Sequence, residues 1–181
     1  IILGTIGVLA FIVQPGLVQG FVVELGLTEA EANDLAFSEM LGVAIATYVV
    51  ALLCRSVNWR LIVTASLLLA AAGNLASASE SLAAWLGISR FVTGLGEGAI
   101  ISMSFTVVGL TTKTERNLAL YLVLLLTYGA FGLWLMPLAF DTIGLGGIFT
   151  EVVKDSSIGL PPMNRLLARR LMQQTKAFKL L

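Results

Sequence analysis

The residues able to do chemistry here are two charges inside an otherwise apolar run. Residues 82–110, LAAWLGISRFVTGLGEGAIISMSFTVVGL, contain Arg90 and Glu97 together with Gly94, Gly96 and Gly98. A bilayer-spanning helix needs about 20 mostly apolar residues, and this run supplies them. A charge near the bilayer centre costs roughly 2.5–3.5 kcal/mol on insertion scales, so both charges are expected to face other helices or a wet cavity. Seven residues separate them, about 10 Å along a helix axis and nearly on one face, too far for a comfortable direct ion pair. Each is therefore expected to meet partners on other helices, with Gln14 a candidate. For Arg90 the readings are anion or coupling-ion chemistry in a cavity, or a fixed interhelical partner that holds the bundle. For Glu97 they are a protonatable site that couples proton entry to solute movement, or a carboxylate paired toward the cytoplasmic side.

Composition excludes several other chemistries. The chain has no His and a single Cys, Cys54, so an intrachain disulfide, Cys/His metal clusters and Ser-His-Asp catalysis are excluded. The run Gly94-Leu95-Gly96-Glu97-Gly98-Ala99 fits a G-x-G-x-x-A nucleotide fingerprint, with Glu115 near the expected acid spacing. That fingerprint needs a strand before it and an amphipathic helix after it, whereas a membrane span surrounds it here. The glycines read more simply as close helix packing. No convincing nucleophile–base pair appears, so the expectation is a protein that is not an enzyme and uses no cofactor or metal.

The elements that must position these charges are membrane helices. Of 181 residues, 57% are hydrophobic and 12% charged, with a mean hydropathy of +0.94. Soluble domains run near 45–50% and about 25%. Spans are expected at about 1–24, 35–53, 61–78, 82–110 and 118–140. The first is interrupted by Gln14-Pro15-Gly16, a kink for packing or beside a pathway. Between the first two spans, residues 25–34 form an acidic connector in which Thr28 and Glu31 suit a capping box. Glu39 lies about 7 Å in from Asp34, as a snorkelling carboxylate or a gating one. Asn74 suits an interhelical hydrogen bond. Trp59, in the basic connector 54–60, suits an interfacial belt.

Basic residues occupy the second and fourth connectors (Arg55 and Arg60, Lys113 and Arg116), while the first and third carry acids only. The positive-inside rule then puts the second and fourth connectors, and the N-terminus, in the cytoplasm. The expected location is a plasma or inner membrane. The chain opens on Ile1 with no basic n-region or cleavage site, so a signal peptide is not expected and the sequence reads as a piece whose start lies upstream.

Leu86, Arg90, Gly94 and Gly96, followed by a small residue, resemble the helix-four pattern of the major facilitator superfamily, with Thr93 where that family often has Gln. Arg55 and Arg60 stand where it carries its helix-two-to-three signature, although Cys54 takes the acidic position and both glycines are absent. Gly129, Gly132 and Pro137 do not fit the antiporter spacing of the family's fifth helix. The resemblance covers roughly residues 1–149 and implies an all-α membrane protein, the N-terminal bundle of such a transporter. It implies five transmembrane helices, or six if a span follows Asp141. Implied with it are alternating access for a small-molecule solute, proton coupling, and a partner C-terminal six-helix half. Arg90, Glu97 and Gln14 would line the pathway, Arg55, Arg60 and Glu39 would serve conformational switching, and Gly94, Gly96 and Gly98 would pack. A non-transporting membrane bundle of receptor or scaffold type, or an inactive truncated transporter, is the alternative.

Residues 150–181 do not fit that pattern. They are too polar and Pro-broken to cross, and hold six of the eleven basic residues: Lys154, Arg165, Arg169, Arg170, Lys176 and Lys179. Leu166, Leu167, Leu171 and Met172 with the neighbouring arginines suit an interfacial helix; otherwise the tail is not native to the bundle. No basic face precedes this tail, so nucleic-acid binding is not expected. The partners expected are the lipid bilayer, the solute and the proton.

Overall fold

The computed structural model describes residues 2–54, 56–79 and 83–158. Among them every regular element is an α-helix: α1 (Ile2–Leu25), α2 (Glu29–Leu53), α3 (Trp59–Ser79), α4 (Ala83–Gly109) and α5 (Thr114–Ile158). Four of these are long and apolar enough to cross a membrane, over Glu29–Leu53, Trp59–Ser77, Trp85–Gly109 and Thr114–Thr142.

Local polar residues decide where the helices begin. Thr28 is extended (φ −68°, ψ 156°), and its Oγ1 accepts the Glu31 N–H at 3.3 Å while the Glu31 carboxylate accepts the Thr28 N–H at 2.9 Å. This reciprocal cap satisfies two orphan donors, and it starts α2 six residues before the expected span at 35. Residues 29–34 are helix rather than connector. Asn58 caps α3 with a single bond, its Oδ1 accepting the Arg60 N–H at 3.0 Å.

The two ends of the bundle have separate apolar clusters. Near the α1–α2 connector, Leu17, Phe21, Ala32, Leu35, Leu86, Met136 and Ile148 pack together. Toward the α2–α3 connector, Ala46, Val50, Ile62, Val63, Leu67, Ala99, Ile100 and Met103 form the second cluster. Helix α4 runs through both, packing most heavily against α2 and then α3. Its glycines make this possible. A Cβ at Gly94 would strike the Glu39 carbonyl, one at Gly98 the Val43 backbone, and one at Gly96 the Ser66 and Ala70 backbone. Gly42 on α2 answers from the other side, against the backbone of Phe91 and Leu95. At such approach, side chains bond directly to the neighbouring helix: Ser38 Oγ donates to Gly87 O at 2.8 Å and Thr47 Oγ1 to Gly98 O at 3.3 Å.

Helix α5 is built differently. It continues for 45 residues, about 67 Å if straight and more than twice a bilayer's hydrocarbon core of about 30 Å. It is not straight: Gly144 has φ 66° and ψ 176°, a conformation open almost only to glycine. Past that break, Ile148 turns back onto the cluster beside Ala32 and Leu35. The stretch after Asp141 is therefore a second, shorter helical segment beyond the break at Gly144, running to Ile158, and the spanning stretch ends before it at Thr142. The tail beyond 158 lies outside the described residues.

Candidate functional site

Between the two apolar clusters lies a layer of buried polar side chains contributed by four helices. Glu39 on α2, Asn74 on α3, and Arg90, Thr93 and Glu97 on α4 are each no more than 3% exposed; Gln14 on α1 is 6% exposed. Their spacing explains the meeting. Gln14 stands one residue before Pro15, inside α1. Gly94 lets α4 approach the Glu39 backbone, bringing the Arg90 guanidinium, one turn earlier, within reach of the Glu39 carboxylate.

The central contact is the Arg90–Glu39 ion pair, made by Nη2 and Oε1. Arg90 Nη1 also donates to Asn74 Oδ1 at 3.0 Å, and Asn74 Nδ2 to Ala70 O at 3.0 Å. Gln14 Nε2 donates to Glu39 Oε2 at 3.3 Å and to Ala36 O at 3.0 Å. Glu97 interacts with both Glu39 and Arg90, and its Oε2 is buried without a hydrogen-bond partner among the described residues. Thr93 Oγ1 is taken up by Ser89 O at 2.9 Å. Arg90 is thus paired with Glu39 and lies near a second buried carboxyl group, Glu97, where attraction must offset the loss of hydration.

Several expectations are redistributed by this geometry. Arg90, Glu97 and Gln14 come together around Glu39. Glu39 is not a snorkelling carboxylate at the membrane edge: it is 2% exposed and is the hub of the layer. A position close to the nearest acid in sequence suggested the edge, but the early start of α2 at Glu29 puts Glu39 deeper. Glu39 is also remote from the basic connector with which a switching role would group it. Of that connector, Arg60 is exposed with its guanidinium 5.6 Å from the Trp59 ring centroid, and Arg55 lies outside the described residues. Asn74 joins the cluster as a direct ligand of Arg90, a role its polarity in an apolar span signalled only as a hydrogen bond. Among the described residues no group of His, Cys, Asp or Glu could hold a metal ion.

Comparison with known proteins points elsewhere in the chain. Residues 122–181 match the ATP-grasp domain family, about a third of the sequence. Among curated proteins, an ADP-forming acetate–CoA ligase of Methanocaldococcus jannaschii is 44% identical over 39 residues, which is 22% of this chain and 6% of that protein. The chain thus spans a small fraction of the curated relative it matches. No solved structure matches significantly.

These matches overturn the expectation of a secondary transporter that is not an enzyme. What they support is a likeness of the C-terminal third to the ATP-grasp domain family. Residues 122–158 of the matched stretch belong to α5; the rest lies outside the described residues. The signal available in sequence was the abrupt change from apolar to basic and polar residues after 149. It marks a different kind of segment without naming it.

Proposed function

We propose that this chain belongs to an ATP-dependent ligase of the acid–CoA, ADP-forming kind, whose ATP-grasp-related segment begins within α5 and is carried by a membrane-embedded helical bundle. The observation that carries this reading is the match of residues 122–181 to the ATP-grasp domain family; the acetate–CoA ligase relative supplies the reaction class. In such a reaction ATP is cleaved to ADP and inorganic phosphate as a carboxylic acid is joined to the CoA thiol, the phosphate carrying off the carboxylate oxygen that the thiol replaces. The six basic residues of the tail offer charges for the phosphates of ATP and CoA, with arginines suited to bidentate contact and lysines to point-charge contact.

The bundle has a supporting part in this reading. Its α2–α4 and α3–α4 crossings use the glycine and Arg90 pattern that resembles the N-terminal half of a major facilitator superfamily protein, and we take that likeness as one of architecture. The buried layer around Glu39 and Arg90 then specifies how the helices meet. The four spanning-length helices support a membrane location in this reading, with the α5 end facing the compartment that holds ATP.

The test is ADP release by membranes containing the full chain, supplied with ATP, acetate and CoA. ADP formation that requires both acetate and CoA is expected, along with acyl-CoA in equal amount. ADP release indifferent to both, or no release with acetate and other short carboxylic acids, would overturn the reading.

A further inference from the structure

The buried polar layer holds two carboxyl groups against one cation. Arg90, Glu39 and Glu97 are each no more than 3% exposed, and Arg90 Nη2 is paired with Glu39. The neighbouring amide and hydroxyl groups donate elsewhere than to Glu97. Gln14 Nε2 donates to Ala36 O and Glu39 Oε2, Asn74 Nδ2 to Ala70 O, and the Thr93 hydroxyl to Ser89 O. Glu97 Oε2 is buried with no hydrogen-bond partner among the described residues, yet Glu97 lies within hydrogen-bonding reach of Glu39. Ionised carboxylates only accept hydrogen bonds, so that approach is repulsive unless one of the two carries a proton.

We propose that Glu39 and Glu97 share one bound proton beside Arg90, so that the layer is a proton-binding site, electrically neutral only when occupied. With the proton in place, one guanidinium faces one carboxylate and one carboxylic acid. The acid hydroxyl gives the Glu39–Glu97 contact the donor it otherwise lacks, as where two close carboxyl groups cannot both ionise. Without the proton, a second buried anion stands with no counter-charge of its own, the arrangement that burial penalises most. The surroundings offer no substitute for it. Among the described residues, the ionisable groups that act on Glu97 are Glu39 and Arg90, while α1 and α3 bring the uncharged amides of Gln14 and Asn74. The α5 phenol Tyr121 packs on Phe105, eight residues and about 12 Å further along α4. A proton also suits the site better than a metal ion. Among the described residues no group of three His, Cys, Asp or Glu side chains gathers to ligate one, and the guanidinium already occupies the place of a cation. This inference is independent of the ligase reading.

Infrared spectroscopy of the full chain in bilayers tests it, because a protonated carboxyl group absorbs apart from an ionised one. At neutral pH the parent should show the band of one buried carboxylic acid per chain, equal in sodium and choline buffers. Glu97→Gln, a neutral side chain of the same shape with an amide to donate to Glu39, should lose the band with helical content unchanged. Glu39→Gln should lose it as well, since Glu97 then ionises as the counter-ion of Arg90. Glu115→Gln, at an exposed position, should leave the band as it is. No acid band in the parent, a band that appears only without sodium, one that survives Glu97→Gln, or one that Glu39→Gln leaves intact would overturn the proposal.

Discussion

The central helices of this chain and its last helix treat their spanning-length apolar stretches in opposite ways. Helices α2, α3 and α4 bury their polar groups against one another, through glycine crossings too tight for a Cβ and an ion pair with further hydrogen bonds. Helix α5 buries little of its spanning stretch. Val123, Leu126, Phe131, Trp134 and Leu138 are all well exposed, Trp134 to 76%, and its anchor on α4 is the edge-to-face contact of Tyr121 with Phe105 at 5.3 Å. A helix of the first kind is specified by its neighbours, and a helix of the second kind leaves most of its apolar surface uncovered by them. The difference teaches that α5 is the place where a different segment can be joined without disturbing the bundle, and the ATP-grasp match falls there.

Orientation gives the largest effect, because it is all or none. The second and fourth connectors lie at one end of the four spanning-length helices and the Thr142 end of α5 lies at the other, so a segment joined there is on the side opposite those connectors. If the tail meets cytoplasmic ATP, Cys54 faces outward. Cys54 is half-buried in the second connector, so a membrane-impermeant maleimide should label it in intact cells. Ala30→Cys in a Cys54→Ser background, at the acidic end, should be protected. The reverse pattern would place the tail outside and remove the ligase reading from a membrane-inserted chain.

Next in size is the ion pair. Arg90→Met leaves Glu39 and Glu97 buried without their cation, and breaking a buried pair from one side costs about 3–5 kcal/mol. A large fall in the thermal midpoint in detergent is expected. Trp134→Ala on α5 should stay within about 0.5 kcal/mol of the parent, as substitutions away from buried features do. Similar losses for the two would erase the contrast between the regions.

How much of this was legible beforehand differs by region for a physical reason. Hydropathy is a property of each segment alone, so the spans at 61–78 and 82–110 agree closely with α3 and α4. Helix ends depend on caps: Thr28 and Glu31 were readable as a box, yet the acidic composition of 29–34 argued for a connector, and the cap prevailed. Arg90 and Glu97 stand out because charge in an apolar run is costly wherever it points. That Glu39 is their hub could not be read, since its depth depends on where α2 begins and on how closely Gly94 lets α4 approach. The function of the tail was least legible. A basic, Pro-broken segment is compatible with many structures, and only likeness to other proteins distinguishes among them.

The smallest predicted effects separate packing glycines from permissive ones within α4. A methyl at Gly94 has no free direction, because the nearest atoms are Glu39 and Val43 backbone rather than a side chain that can rotate away. Gly94→Ala should therefore force α2 and α4 apart, at about 1–3 kcal/mol. At Gly109, the last residue of α4, a Cβ meets nothing within 4 Å. Gly109→Ala restricts the unfolded chain without a clash and should stabilise by about 0.4–1 kcal/mol. Thermal midpoints measured side by side should move in opposite directions. If both rise, the α2–α4 crossing has slack, and the division between a tightly specified bundle and a loosely held α5 loses its basis.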